Sequence, residues 1–195
     1  MDASELLATR ASNGKLGEPA PDAQAVRAAL LAAARAPDHA TLRPWRVRLV
    51  RGEARARLGE VFRDALRRAH PDSTEEALEK ASRKPLRAPL LIVVGARLTD
   101  HPKAPRVEQL LAAGMAAHAI LLSLHAQGFG AMLRTGDAAY DEGVKRALGF
   151  SPDDAIVGFI YVGTPTAPYP PIKRPSPEEF TEEWTGPQEG PPGGS

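Results

Sequence analysis

The chain has no cysteine, which excludes disulfides, thiolate catalysis and cysteine-ligated zinc. It also lacks an excess of one charge. A formal net charge of +1 over 195 residues argues against a large nucleic-acid surface, which needs a strong basic excess. Aromatic residues make up 5% of the chain and leave few stacking platforms for single strands. The longest apolar tract, Leu110 to Leu124, is interrupted by Gly114, His118 and Ser123, and falls short of the ~20 residues that cross a bilayer. The first residues, Met-Asp-Ala-Ser-Glu, are acidic rather than basic and then apolar, so no signal peptide is read there. A cytoplasmic protein is expected, large enough to bury a substantial core. Hydrophobic residues at 43% and charged residues at 25% fit an ordinary globular domain.

Hydrophobic periodicity divides the chain into elements. Residues 2–11 read as a short helix, and residues 22–35 as a second one with Asp22 as N-cap and Val26, Leu30 and Ala33 on one face. Pro37 ends that helix. Trp45, Val47 and Leu49 alternate with Arg46 and Arg48, the period of a half-buried strand. Helices follow over 53–69 and 74–83. Pro85 and Pro89 then frame the unbroken apolar run Leu90 to Gly95, which predicts a strand buried on both faces. Glu108 to Gln127 is the longest helix, alanine-rich and apolar nearly all round, so it belongs in the domain centre or at a subunit interface. Gly128 caps it. A short strand at Ala131 to Leu133, a helix over Asp141 to Leu148 and a strand over Ile156 to Val162 complete the set. About four strands covered by helices make an α+β, three-layer arrangement.

Beyond Val162 the composition changes. Nine of the nineteen prolines lie from Pro165 onward, and such a segment forms no core of its own. Phe180 and Trp184 are read as anchors for the part before residue 185. The expected organisation is one domain over 1–185 and a flexible Gly/Pro-rich tail over 186–195.

The densest candidate for function is the loop Arg35 to Trp45. It holds two arginines, Asp38 and His39 between Pro37 and Pro44, so its polar groups are restrained rather than free to sweep. Nineteen of the 25 basic residues are arginine, and an arginine therefore needs context before it signifies. The run Arg46, Arg48, Arg51, Arg55, Arg57 reads as a solvated strand edge and helix face rather than a phosphate stripe. Gly128-Phe129-Gly130 follows a helix, so it is not a dinucleotide fingerprint. His118 and His125 stand seven apart on the long helix with no carboxylate beside them, which gives no metal site, and His118 is read as a core histidine. His39, His101 and Ser12 make no nucleophile triad, because no nucleophile elbow is present. The lack of a strong catalytic side chain suits a protein whose cofactor carries the reactivity.

Five segments, in order, resemble the FMN-dependent nitroreductase family, in its compact branch of NAD(P)H nitroreductases, over residues 3 to about 180. They are Leu6 to Ser12, similar to a helix ending in Arg-Arg-Ser; Arg35 to Trp45; Ala112 to Gly130; Leu133 to Gly136; and Val162 to Pro165, followed by Lys173-Arg174-Pro175 and Glu178-Glu179. The resemblance implies a three-layer α/β/α sandwich around a central mixed, mainly antiparallel sheet. It implies FMN held by Arg10, Ala11, Ser12, Leu133, Arg134 and Thr135, with Arg35 and His39 reaching the flavin of a partner subunit. It therefore implies a homodimer with shared sites, no metal and no catalytic side chain. NADH or NADPH is the reductant, and a nitroaromatic or quinone-type acceptor is served from the same cleft in a ping-pong cycle. The segments depart from the family pattern at Ala11, where a second arginine is usual, and at Thr41 and Arg43, where Asn and Gln are usual. Lys173 and Arg174 match phosphate-contacting residues of larger members. Dehalogenation, ene reduction or flavin fragmentation on the same fold is the alternative among enzymes; flavin storage or a non-catalytic dimeric adaptor is the alternative outside them.

Overall fold

A computed structural model describes residues 1–169 and 171–187; the expected tail lies, from residue 188, outside the described residues. Side-chain caps begin most of the helices. Asp2 accepts from Glu5 N at the start of α1 (Ala3–Thr9), Asp22 from Ala25 N at α2 (Ala23–Ala33), and Thr74 from Ala77 N at α4 (Glu75–Ser82). Asp141 does the same for Val144 N at α6 (Glu142–Ala147), each cap satisfying an N–H that the helix itself leaves orphaned. The other two helices are α3 (Ala54–Ala69) and the 21-residue α5 (Arg106–Ala126). Gly128, with φ +84°, takes the left-handed turn that stops α5.

Five strands form the sheet: β1 (Leu16–Gly17), β2 (Trp45–Arg51), β3 (Leu90–Ala96), β4 (Gly130–Arg134) and β5 (Ala155–Pro165). The order is β1-β5-β3-β2, with β4 also on β5, and every pairing among the described residues is antiparallel. β3 takes one edge of β5. The other edge is shared end to end by β4, opposite Phe159 to Gly163, and β1, opposite Thr164 and Pro165.

Alternation divides the side chains into two cores, as strand geometry requires. Leu90, Ile92, Val94, Ile160 and Val162 pack with α2 and α5. Leu91, Val93, Phe159 and Tyr161 pack with α3 and α6. A register shift after Val94 places one extra residue in β5, so Ile156 faces the second core and Val157 the first. This is the expected three-layer α+β architecture.

Several expectations are corrected. Trp45 and Val47 pack on the first core, but Leu49 is 44% exposed. β2 is the outermost strand, and α2 leaves an open groove of about 490 Å³ above Leu49. His118 is exposed rather than in the core. The helix that contains the apolar tract is longer than the tract itself. On length and composition α5 could span a membrane, yet Ala112, Ala113, Ala116, Ala117, Ile120 and Leu124 bury it against the sheet. Phe180 and Trp184 do not anchor their segment on this chain; Trp184 is 79% exposed. Within the arginine run, Arg51 and Arg57 are exposed as a solvated edge and helix face require, but Arg48 donates to Leu148 and Gly149 carbonyls and lies over Phe150, Arg51 donates to Pro21 O and Arg55 to Ala88 O.

One glycine fixes the approach of two helices. A Cβ on Gly59 of α3 would stand 2.1 Å from the Ser82 carbonyl oxygen at the end of α4. Gly59→Ala is expected to cost on the order of 3 kcal/mol in forced separation, offset by about 1 kcal/mol of helix propensity. Thermal unfolding should then fall by roughly 4–8 °C; an unchanged Tm would show that the end of α4 yields freely.

Candidate functional site

α1 ends at Thr9, and the chain then crosses to the sheet through a loop pinned by one buried side chain. Asn13 is 1% exposed. Its backbone N–H donates to Ala131 O, its Nδ2 to Ala167 O (both 3.1 Å), and its Oδ1 accepts from Lys15 N at 2.8 Å. Thr166 N donates to Lys15 O at 3.0 Å. A buried amide whose nitrogen and oxygen both find partners rigidifies its surroundings. The loop is therefore tied both to β4 and to the segment leaving β5. Gly14 lies close to β4, since a Cβ there would stand 3.2 Å from Met132 Sδ and 3.3 Å from Arg134 Nη2.

The result is a groove of about 860 Å³ lined by Ser12, Lys15, Arg87, Met132, Arg134 and Thr166, among others. A second cavity of about 400 Å³ continues along β4 past Leu133, Thr135 and Gly136, with Lys84 and Tyr161 in its walls. Arg87, Met132 and Arg134 line both. Gly136 sits at φ +92° with nothing within 4 Å of where a Cβ would be, which leaves the backbone at the end of β4 open to close approach.

The electrostatics are one-sided. Lys15, Lys84, Arg87 and Arg134 line the two cavities, with Asp137 as their single carboxylate. None of the four forms an ion pair among the described residues. The Arg134 guanidinium carbon lies 5.8 Å from the centre of the Tyr161 ring. Burial pushes the Tyr161 phenol up, against the opposing pull of Arg87 and Arg134. Such a cleft favours a planar, partly apolar ligand that carries anionic groups.

Of the sequence-derived residues, the fold brings Ser12, Leu133, Arg134 and Thr135 onto these walls. Ala11 adjoins Ser12, half-buried and without a polar side chain. Arg10 sits at the flank: Arg174 Nη2 donates to its carbonyl at 3.1 Å, and its charge reaches His125 and Tyr169. Arg35 and His39 line neither cavity. His39 Nδ1 instead meets Glu108 Oε2 at 2.6 Å in the first turn of α5. Their loop is strained, with Ala40, Thr41 and Arg43 all in the left-handed region. Conformations of that kind cost about 1–3 kcal/mol each and gather at functional sites. Asp38 Oδ2 accepts from Arg43 N and helps to hold the loop there.

Asn13, Lys15, Lys84 and Arg87 were not singled out from the sequence. The Asn13-Gly14 pair carried a turn signal that could have marked the loop. Lys84 and Arg87 carried none in so basic a chain.

A different face is uncovered. Val107, Leu111 and Met115, each one turn apart on α5, are exposed. Beside them Leu110, Gly114, His118 and Tyr140 line a groove of about 490 Å³. An exposed apolar patch on a helix whose other face is buried marks an interaction surface.

Residues 7–164 match the model of the Nitroreductase family. The chain is 41% identical over 165 residues to the Escherichia coli K12 protein named Putative NAD(P)H nitroreductase YdjA, covering 85% of this chain and 89% of that one. A nitroreductase-like family protein from Bacillus cereus shares its fold with a TM-score of 0.81 at 23% identity, covering 95% of this chain and 97% of that one. A putative nitroreductase from Desulfovibrio desulfuricans, solved in complex with FMN, gives a TM-score of 0.71 at 22% identity, covering 94% and 98%. The chain belongs to the nitroreductase family.

Proposed function

We propose that this protein is an FMN-dependent oxidoreductase that takes reducing equivalents from NADH or NADPH and passes them to nitroaromatic or quinone-type acceptors. In this reading residues 1–185 form one cytoplasmic domain that works as a homodimer with shared flavin sites. The observation that carries it is the convergence of the pinned Ser12–Lys15 loop, the Arg134–Gly136 edge and four cations, none in an ion pair among the described residues, on one cleft.

The cleft fits FMN on its own chemistry. A flavin nucleotide needs a dianion held, a planar ring laid against backbone, and positive charge where reduction adds electrons. Arg10 would grip the phosphate as a planar fork and Ser12 would add a hydroxyl donor. Thr135 and Gly136 would offer backbone along the edge of the ring, where the absence of a side chain on Gly136 leaves room. Arg134, with Lys15 beside it on the wall, would stabilise the negative charge of the reduced state. FMN, when bound, supplies the two-electron chemistry between nicotinamide and acceptor.

Leu133 and Tyr161 line the cavity and would give the ring its apolar contacts. Arg35 and His39, held in their strained loop away from this cleft, would complete the site of the partner subunit. The uncovered face of α5 would join the two chains.

With one cleft for both substrates, steady-state NAD(P)H oxidation at varied nitroaromatic or quinone concentration should give parallel double-reciprocal lines. Intersecting lines would contradict the single-cleft reading. A flavin-loaded protein that turns over none of these acceptors would favour storage.

A further inference from the structure

His125, at the last turn of α5, touches two segments that hold the Arg10–Lys15 loop. Its Nε2 lies 3.2 Å from Thr9 Oγ1, and its Nδ1 lies 3.5 Å from the Tyr169 hydroxyl. The Tyr169 ring stands edge-on to the imidazole, with centroids 5.6 Å apart at 88°. Thr9 Oγ1 already spends its proton on Glu5 O, at 2.7 Å. It can therefore only accept from His125, which places the imidazole proton on Nε2 and leaves Nδ1 to accept from Tyr169.

The same two segments meet again nearby. Arg174 Nη2 binds Arg10 O, Asn13 Nδ2 binds Ala167 O, and Thr166 N binds Lys15 O. The chain leaving β5 is thus stitched along the loop, and His125 is the point where α1, α5 and that chain come together.

We propose that His125 is a positioning residue: in its neutral form it clasps Thr9 and Tyr169 and so holds Arg10 where it can grip an anionic cofactor. This rests on the reading that Arg10 takes the FMN phosphate. The charged and titratable groups facing the imidazole are Arg10 and the Tyr169 phenol, and no carboxylate pairs with it among the described residues. Burial, then the charge of Arg10, hold His125 below its ordinary value. A proton on Nδ1 would abolish its acceptance from Tyr169 and set a second positive charge beside Arg10. With the folded value below the unfolded one, this cost is absent above the ordinary histidine range. It sets in as pH falls through the folded value.

The test is FMN affinity of the apoprotein, read by quenching of flavin fluorescence from pH 7.5 to 5.5, with thermal unfolding to confirm the fold. His125→Val should weaken FMN about fivefold at pH 7.5, the size of one neutral hydrogen bond. His125→Gln, which keeps a donor toward Thr9 and cannot titrate, should bind nearly as the native protein at pH 7.5. On acidification the native protein should lose about fivefold more affinity than His125→Gln, a single ionisation costing that order. The FMN phosphate itself titrates near pH 6, but equally for both proteins, so only their difference is read. Identical pH profiles, or a His125→Val that binds as the native protein while Arg10→Ala does not, would overturn the positioning role alone. Arg10→Ala binding FMN normally would overturn both the phosphate grip and the role built on it.

Discussion

Leu111→Glu is expected to turn the proposed homodimer into monomers and to abolish the proposed NAD(P)H oxidation. Leu111 is 60% exposed at the centre of the uncovered α5 stripe, between Val107 and Met115. In the proposed dimer, facing a second copy across a two-fold axis, the residue would meet the same patch on its partner. A carboxylate there would be desolvated on an apolar face whose lining cation is Lys145, and each copy would set its own against the other's. Burying a poorly compensated charge costs roughly 3–5 kcal/mol, enough to weaken association at least a hundredfold. The flavin should leave with the partner, because Arg35 and His39 would no longer reach it. Size-exclusion chromatography with absorbance at flavin wavelengths reads both losses in one run. Arg57→Glu, on the exposed side of α3 across the sheet, should change neither. A Leu111→Glu protein that stays dimeric and yellow would place the interface elsewhere.

Arg10→Ala is expected to raise the Kd for FMN about a hundredfold, since a bidentate charge-assisted contact to a dianion is worth about 3 kcal/mol. The fold should survive. Arg10 makes no ion pair among the described residues, and its link to Arg174 runs through its backbone carbonyl. At saturating FMN most of the turnover should return, which separates loss of binding from loss of chemistry. Arg10→Lys should fall between, because an ammonium keeps the charge but not the fork. An unchanged Kd in Arg10→Ala would move the grip to Lys15 or Arg174.

The sequence showed the framework where one local signal decides the outcome. The run from Leu90 had to be a central strand, because only a position between two helical layers buries both of its faces. Asp22 and Gly128 bounded their helices through capping chemistry that needs no distant partner. β1 was not legible, as two residues paired to the end of β5 carry no period. Leu49 and His118 misled for one reason: alternation and all-round apolarity say that a face wants cover, not whether this chain supplies it. For the site, the Arg134 segment and Ser12 were readable through family likeness. Lys84 and Arg87 reach the cleft only because the turn before β3 folds toward β4. The strain at Ala40, Thr41 and Arg43 was likewise invisible, since none of the three is a residue that favours the left-handed region.

One titration asks whether the cleft between the Asn13-pinned loop and β4 holds a working flavin. The purified protein, loaded with FMN and freed of excess, is followed by visible absorbance under anaerobic conditions while NADH or NADPH is added. The protein should be yellow with one FMN per chain, bleached by at least one nicotinamide and recoloured by a nitroaromatic or quinone. A protein that fails to retain FMN, or keeps it yet is bleached by neither nicotinamide, would mean that this cleft is not a working flavin site.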